Sequence, residues 1–425
     1  MWERTVGAVL WREGRGFFEY APSFLRDGLP VAPLQMPLRS QVYSFPGLSM
    51  ETFHGLPGLL ADALPDRFGN ALINQWLARE GLTPDALSPV ERLCYLHDRA
   101  MGAMTFHPAL PTGRLPETTL SIQLSSLVTG ARAALRGNFA EAPERALIDI
   151  LSVGTSAGGA RAKAVIAWNP QTQEIRSGHQ DAPDGFEHWI LKFDGVGADP
   201  VLGEGHDWGR IERAYTLMAA AAGIDTPQTA LLEEHGRAHF MSRRFDREGN
   251  RRLHMQTLCA LDHLDFNTPG AHGYERWFQL TQILTGHHDA LQQVFRRMVF
   301  NVIARNHDDH TKNVSFLMDN LGTWRLAPAY DLVFAHTPGN RWLDQHQMTI
   351  AGKREEITDT DLVAAASGFI KPARANALLD EVRSACRRWP EFAGAAGLNE
   401  TATRRIGREI MTGAPVHPKI SSGKP

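Results

Sequence analysis

The chain has few cysteines and little net charge. Its three cysteines, Cys94, Cys259 and Cys386, are far apart and odd in number. They form neither a metal-ligand spacing nor a disulfide framework, so a reducing compartment is expected. The formal net charge of −3 argues against a protein that binds nucleic acid through its overall electrostatic field, although a local basic patch remains compatible with it.

Long apolar segments are also missing. The N-terminus, which begins Met1–Arg4, lacks the long apolar core of a signal peptide. The most apolar stretch, 217–224, is far too short to span a bilayer. We therefore expect a cytoplasmic protein with no membrane partner. Its 425 residues, 43% of them hydrophobic and 21% charged, are enough for two or three globular domains that each bury a core.

The hydrophobic pattern predicts both strands and helices. The predicted elements, in chain order, are a hairpin at 6–11 and 17–20, helices within 59–98, a helix at 143–152, strands at 164–168 and 188–193, a helix at 210–223, strands at 230–232 and 239–242, and a strongly apolar helix at 289–304. The polar end from His417, which contains proline and glycine, is predicted to be disordered.

The most informative stretch runs from Asn306 to Asp331. A polar cluster at 306–313 is followed by a predicted hairpin and then by Asp331. In phosphoryl transfer, one aspartate such as Asp308 can accept a hydroxyl proton, while Asn313 and Asp331 can hold magnesium against nucleotide phosphates. Any one of these residues would also suit a turn. The ordered set favours a phosphoryl-transfer site.

A glycine-rich segment lies at 154–163, between apolar segments. Glycines there would let backbone N–H groups approach phosphate oxygens without obstruction by a Cβ. The segment has neither the Walker spacing nor a clean dinucleotide fingerprint. Taken alone, it fits a flexible loop better than a phosphate site.

Lys192 lies inside a predicted strand, flanked by apolar residues. Burying a lysine without a partner is costly, so it requires either a carboxylate or an outward orientation. Its surroundings match the kinase strand lysine that binds the α- and β-phosphates, whose partner is a glutamate of the next helix. Glu212 begins such a helix, although the helix dipole alone also favours a glutamate there.

The charged run Arg243–Arg247 follows a hydrophobic strand. Taken alone, it fits a solvated charge cluster. Its position also fits the hinge between two kinase lobes, where backbone groups hold adenine.

Taken in order, these motifs resemble the HipA family of serine/threonine kinases, the toxin halves of bacterial toxin–antitoxin pairs. The residues that carry the resemblance are Ser156–Lys163, Ile190–Phe193, Glu212, Arg244–Arg247, Asn306–Asn313, Pro328–Asp331 and, in the first hundred or so residues, Gly102–Phe106. The resemblance implies an α+β, two-lobed protein-kinase-like fold with an added N-terminal β-rich domain and a mainly helical C-terminal lobe. The implied division is an N-terminal domain at 1–110, a kinase N-lobe at 111–248, a C-lobe at 249–416 and a tail at 417–425.

The resemblance also implies a role for each motif. Asp308 would be the catalytic base, Asn313 and Asp331 the magnesium ligands, and Lys192 the phosphate-binding lysine oriented by Glu212. The implied nucleotide contacts are Ser156, Ala157, Gly158, Gly159, Ala160, Lys163, Lys192, Arg243, Phe245, His310, Asn313 and Asp331. Ser156 would in addition be a site of autophosphorylation that displaces the phosphate-binding loop and silences the kinase.

Two residues depart from the pattern of some family members. Arg161 stands where some have glutamine, and Asp309 where some have glycine. A second carboxylate beside Asp308 is expected to raise a neighbour's pKa or to adjust metal binding.

The implied reaction is transfer of the γ-phosphoryl group of ATP, with Mg²⁺, to a serine or threonine hydroxyl of a protein. The target would be a component of translation such as an aminoacyl-tRNA synthetase, and expression would arrest growth. The implied partner is a small helix-turn-helix antitoxin, so that operator DNA is contacted mainly through that antitoxin.

Three other functions remain as alternatives. Small-molecule kinases share the two-lobed plan and the paired aspartates. A catalytically silent co-repressor would keep the antitoxin partner but lose the chemistry. Four residues that the chemistry needs are present and disfavour it: Lys192, Asp308, Asn313 and Asp331. A metal-dependent phosphohydrolase would use His307, Asp308 and His310, but it needs further His and Asp ligands, and the hairpin after Asn313 fits it poorly.

Overall fold

The structure, a computed structural model, describes residues 1–110, 121–136, 142–154, 161–196 and 207–413. The chain forms two compact units. Unit 1 comprises Met1–Arg213, Pro227–Asn267 and Val314–Ala327, and unit 2 comprises Ala214–Thr226, Thr268–Asn313 and Pro328–Pro425. No helix within the described ranges is long and apolar enough to cross a membrane. The tail predicted at 417–425 lies outside these ranges.

Unit 1 begins with a small antiparallel sheet. Its strands, in spatial order, are β1 (Gly7–Arg12), β2 (Arg15–Tyr20) and β3 (Val42–Tyr43). The hairpin predicted from the sequence is therefore confirmed. Its turn residues Glu13 and Gly14 both have positive φ, 52° and 75°, as a two-residue turn of type I′ requires.

Five α-helices accompany this sheet in the first hundred residues, the first between β2 and β3 and the others after β3. They are α1 (Pro22–Asp27), α2 (Met50–Phe53), α3 (Gly58–Ala61), α4 (Arg67–Arg79) and α5 (Pro89–Leu96). The last three confirm the helical spacing predicted within 59–98. Helix α4 begins at Asp66, whose Oδ1 accepts a hydrogen bond of 2.7 Å from the backbone N–H of Gly69, so a donor of the first turn is satisfied.

The largest sheet of unit 1 has five antiparallel strands. In spatial order they are β5 (Ile175–Ser177), β4 (Lys163–Trp168), β6 (Glu187–Lys192), β8 (Arg237–Arg243) and β7 (Thr229–Glu234). The helices that accompany it are α6 (Leu124–Arg136), α7 (Glu144–Val153) and α8 (Trp208–Ala221), the last of which continues into unit 2 after Arg213. The strands and helices predicted over this region are confirmed.

A third sheet of unit 1 contains the hairpin predicted after Asn313. Its antiparallel strands are β11 (His254–Thr257), β12 (Ser315–Met318) and β13 (Trp324–Leu326), preceded by the two-residue strands β9 (Arg247–Glu248) and β10 (Arg251–Arg252) and accompanied by α9 (Leu258–Asp262). Neither β11 nor α9 was predicted from the sequence.

Three charged side chains of the run Arg243–Arg247 are buried, those of Arg244, Asp246 and Arg247, so its interpretation as a solvated cluster is wrong. Asp246 accepts hydrogen bonds from Arg244 at 2.9 and 2.7 Å, from Arg247 at 2.8 Å and from the backbone N–H of Gly102 at 2.8 Å. Burial alone would raise the pKa of Asp246, but the two guanidinium groups lower it below its usual value. The cluster joins the N-terminal region to the strand region of unit 1.

Unit 2 is helical. Besides the end of α8 it contains α10 (Tyr274–Thr285), α11 (His288–Ile303), α12 (Asp359–Ala365), α13 (Pro372–Arg387), α14 (Trp389–Ala395) and α15 (Glu400–Gly413). Helix α11 packs against α10, α13 and α15 and buries its apolar face, as its sequence predicts. A five-stranded sheet, a helical unit and an added N-terminal sheet confirm the predicted fold class.

Candidate active site

The loop that follows α11 presents Asp308. Its side chain is 36% exposed, and His310 Nε2 lies 3.6 Å from its Oδ1. Asn313 Nδ2 donates a hydrogen bond of 2.8 Å to the backbone carbonyl of Asp308. Because the amide nitrogen makes that bond, the amide oxygen of Asn313 is the atom that can serve as a cation ligand.

Asp331 belongs to a segment that is tied to the same loop. The hydroxyl of Tyr330 donates a hydrogen bond of 2.8 Å to the carbonyl of Lys312, the residue before Asn313. Asp331 itself has a φ of 54°, a left-handed conformation that is uncommon for a residue with a Cβ. Such backbone strain is concentrated at functional sites.

The donor set in this part of unit 2 fits magnesium. Asp331 has carboxylate oxygens and Asn313 an amide oxygen that could serve as ligands, and Mg²⁺ prefers such hard ligands. Over the described residues, no three His, Cys, Asp or Glu side chains form a cluster that could hold a metal ion. Magnesium does not require such a cluster, since it is often held by one or two protein ligands together with substrate phosphates and water.

Asp309 points into the core of unit 2, in contrast to Asp308. Its Oδ2 accepts a hydrogen bond of 2.8 Å from the Tyr274 hydroxyl and lies 2.9 Å from His346 Nδ1, and its Oδ1 accepts one of 2.7 Å from the Gln347 backbone. The side chain is fully buried. Together with burial, Asp309 raises the pKa of one neighbour, Tyr274, as expected for a second carboxylate. Its hydrogen bonds also hold the loop that carries Asp308.

Changing Tyr274 to phenylalanine tests whether the buried contacts of Asp309 stabilise the fold. Burial and Asp309 raise the pKa of Tyr274 well above its usual value, so the hydroxyl stays protonated and donates to Asp309. Its oxygen also accepts from Asn301 Nδ2 at 2.9 Å. The substitution removes a donor and an acceptor together, and we expect the free energy of unfolding to fall by about 2–3 kcal/mol in urea denaturation.

The matched control for that change is Tyr20→Phe. Tyr20 belongs to unit 1, is buried, and donates a hydrogen bond of 2.7 Å to the carbonyl of Met36. Its loss is expected to cost about 1 kcal/mol. Equal costs for the two variants would show that Asp309 does not depend on Tyr274.

His307 is a structural residue. Its Nδ1 lies 3.1 Å from the carbonyl oxygens of Leu343 and Asp344, to which a protonated Nδ1 donates. Burial, together with His346 and His336, lowers the pKa of His307 to about 2, so the ring is neutral. The phosphohydrolase alternative needs several His and Asp ligands together, and over the described residues no three His, Cys, Asp or Glu side chains are grouped to hold a metal ion.

In unit 1, the structure places Glu212 against Lys192. The Nζ of Lys192 lies 2.5 Å from Glu212 Oε1, and the glutamate is only 2% exposed. The start of the glutamate's helix, α8, is held by Asp194, which accepts a hydrogen bond of 3.0 Å from the backbone of Trp208. The strand lysine and its glutamate are therefore both fixed by secondary structure.

Sequence reasoning missed a second cation at this pair. Arg161 Nη1 donates a hydrogen bond of 3.0 Å to Glu212 Oε2, so one buried carboxylate binds both Arg161 and Lys192. The available signal was the position of Arg161 within the glycine-rich segment, two residues after its last glycine, where the sequence showed only a departure from the family pattern.

The remaining predicted nucleotide contacts of unit 1 differ in exposure. Lys163 is buried, and its Nζ lies 3.3 Å from Asp66 Oδ2. Arg243 is half exposed and pairs with Glu187 at 3.1 Å. Phe245 packs against a small apolar cluster. The predicted loop residues Ser156, Ala157, Gly158, Gly159 and Ala160 lie outside the described residues.

Comparison with solved structures supports the fold. The chain is similar to a chain in the complex of the Shewanella oneidensis MR-1 toxin–antitoxin system HipA, HipB and its operator DNA, with a TM-score of 0.65 and 18% identity over 96% of this chain and 94% of that chain. A Helicobacter pylori proinflammatory kinase, CtkA, gives a TM-score of only 0.36, with 11% identity over 53% of this chain and 86% of that chain.

A curated Haemophilus influenzae protein named "Putative kinase" is 26% identical over 185 residues, which are 40% of this chain and 52% of that protein. The chain thus spans about half the length of the curated relative that it matches.

Two family models match this sequence. Residues 1–107 match the HipA N-terminal domain, and residues 155–390 match the HipA-like C-terminal domain. The second match alone covers more than half of the 425 residues. The chain belongs to the HipA family.

Proposed function

We propose that this HipA-family protein is a kinase that transfers the γ-phosphoryl group of ATP to a serine or threonine hydroxyl of a protein. The observation that carries the proposal is the ion pair of 2.5 Å between Lys192 and the buried Glu212. In protein kinases the strand lysine must be paired with a helix glutamate before it can bind the nucleotide phosphates. Any buried lysine needs a carboxylate, so what favours a kinase is where the pair lies: the lysine is on strand β6 and the glutamate on the next helix, α8, as in protein kinases.

Each site residue predicted in unit 2 has a role in this proposal. Asp308 would accept the proton of the attacking hydroxyl, for which its partial exposure is suitable. Asn313 and Asp331 would hold magnesium, which when bound neutralises charge on the phosphates. His310, beside Asp308, would contact the nucleotide or the transferred group.

The nucleotide contacts of unit 1 would come from the glycine-rich segment with Ser156, from Lys163 and Lys192, and from Arg243 and Phe245 at the hinge. Catalysis would then rest mainly on positioning and charge neutralisation. The proposed division remains an N-terminal domain at 1–110, an N-lobe at 111–248, a C-lobe at 249–416 and a tail at 417–425.

The proposed partners are an antitoxin and a protein substrate. The Shewanella oneidensis complex contains HipB and operator DNA. For this chain we propose a small helix-turn-helix antitoxin, with operator DNA contacted mainly through it, since a net charge of −3 does not favour direct DNA binding. The substrate would be a translation component such as an aminoacyl-tRNA synthetase, and the site of action the cytoplasm.

Self-modification at Ser156 is the sharpest test of the proposed activity. After incubation with Mg-ATP, intact-mass spectrometry is expected to show the addition of one phosphate, and peptide mapping to place it on Ser156. A phosphate there carries nearly two charges and would compete with ATP phosphates for the same N–H groups. The Ser156→Ala variant should not gain the phosphate.

Ser152→Ala is the matched control, because this serine lies four residues earlier and its hydroxyl donates to the Asp149 carbonyl of α7. It should be phosphorylated like the wild type. A wild type that modifies neither itself nor any protein in a lysate would contradict the kinase proposal. Antitoxin binding without such activity would then favour the silent co-repressor.

A further inference from the structure

The glycine-rich segment is held at both ends by the sheet of unit 1. Gly154 and Ala164 form an antiparallel bridge, which brings together the two ends of the intervening stretch. Near its C-terminal end, the carbonyl of Ala162 accepts a hydrogen bond of 3.0 Å from the backbone N–H of Phe193. The ends of this segment therefore have defined positions, and a neighbour that contacts both ends can control them.

Helix α4 contacts the first end. A Cβ placed on Gly154 would overlap Leu72 Cδ1, so the leucine lies directly against the glycine backbone. Leu72 is 4% exposed and belongs to the same apolar core as Ile150 and Val153, the residues of α7 that precede Gly154. This close approach is possible because Gly154 has no side chain.

The N-terminus of α4 contacts the second end. Asp66 Oδ2 lies 3.3 Å from the ammonium group of Lys163, and the two side chains are 4% and 3% exposed. The other oxygen, Oδ1, accepts a hydrogen bond from the backbone N–H of Gly69, so that Asp66 is the N-cap of α4. A single carboxylate thus caps α4 and pairs with a buried lysine. Leaving the charge of that lysine buried without a partner would be destabilising.

None of the residues proposed for catalysis lies within 1–107, the range that matches the HipA N-terminal domain. We infer that α4, which belongs to that range, is a positioning element for the glycine-rich segment, and that Asp66 and Leu72 are positioning residues. Asp66 acts through Lys163, and Leu72 through Gly154. The effect on nucleotide binding rests on the proposed kinase function, whereas the control of the segment's ends does not.

The ion pair also determines what Lys163 does. With its ammonium group buried against Asp66, Lys163 holds β4 and the end of the segment to α4. The two lysines of unit 1 thus differ in exposure, with 3% of the Lys163 side chain and 12% of the Lys192 side chain accessible to solvent.

The variant that tests the inference is Asp66→Asn. Asparagine caps a helix about as well as aspartate, so α4 keeps its start while the charge opposite Lys163 is lost. We expect affinity for a non-hydrolysable ATP analogue with magnesium to fall about tenfold, the size expected for the loss of one charged hydrogen-bonding partner. Hydrogen–deuterium exchange should rise in the peptide 161–168 and stay unchanged in 67–79.

Two further variants accompany it. Leu72→Ala removes the contact with Gly154 and should change affinity and exchange in the same direction. Asp359→Asn is the matched control: Asp359 is buried in the first turn of α12 and binds the buried Arg383 at 2.6 Å. It should leave nucleotide affinity and the exchange of 161–168 at wild-type values.

The two readouts separate the possible failures. If the wild type binds the analogue and both Asp66→Asn and Leu72→Ala match it in affinity and exchange, the inference is wrong and the proposed function stands. If the wild type does not bind the analogue, the proposed function fails. Exchange in 161–168 then still decides whether α4 controls the segment, with a rise supporting that control and no change overturning it.

Discussion

Replacing Asp308 by asparagine should lower the rate of phosphoryl transfer by about 10²–10⁴-fold, the usual contribution of a general base. The substitution keeps the size of the side chain and removes its ability to accept a proton. Asn313 binds the backbone carbonyl of Asp308 rather than its carboxylate, so the arrangement of the loop should persist. The loss should therefore appear in kcat, with little change in KM for ATP.

Asp319→Asn is the control for this experiment. Asp319 accepts hydrogen bonds from the backbone of Leu321 and Thr323 in the turn between β12 and β13. Asparagine makes the same kind of turn, so activity should stay at the wild-type value. Steady-state kinetics with an identified substrate, or rates of self-phosphorylation, provide the comparison. An Asp308→Asn variant with wild-type kcat would remove Asp308 from the reaction.

The second large effect concerns stability. Asp246→Asn should lower the free energy of unfolding by about 3–5 kcal/mol, because removing one partner of a buried ion pair leaves charge without compensation. The side chains of Arg244 and Arg247 are only 1% and 5% exposed, so water cannot replace the carboxylate. Glu248→Gln is the control, since Glu248 pairs with Arg325 at an exposed position and should cost about 0–1 kcal/mol.

The pH dependence of this difference follows from the lowered pKa of Asp246. In the unfolded chain the carboxyl has a pKa of about 3.9. Because the folded state binds the proton less readily, the ion cluster stabilises the fold fully above that value and loses its contribution as pH falls toward the folded pKa. The difference in unfolding free energy between wild type and Asp246→Asn should shrink from pH 5 to pH 3. A constant difference would contradict this assignment.

The strands and helices could be predicted from the sequence because their signals are local. The apolar runs of β4 and β6 and the helical spacing of α8 and α11 depend on neighbouring residues alone, and the structure confirms all four. The pairing of Lys192 with Glu212 was also accessible, since a lysine within an apolar strand needs a carboxylate and one begins the next helix.

The partners that are distant in sequence could not be predicted. Lys163 is bound by Asp66, and Asp246 by the backbone of Gly102, and no local pattern relates these residues. The run Arg243–Arg247 consequently gave the wrong impression of a solvated cluster, because charge alone does not reveal a buried partner. The structural contacts of Asp309 were missed for another reason: adjacent residues of a loop point in directions set by its backbone, which the sequence does not specify.

The most direct test of the proposed activity is transfer of labelled phosphate from γ-labelled ATP to protein, measured with magnesium and with the chelator EDTA. The assay compares wild type with Asp308→Asn, each alone and with a cell lysate. The kinase proposal predicts label on protein that requires magnesium and nearly disappears in the variant. Label that is equal in wild type and variant, or absent from both in every mixture, would contradict it.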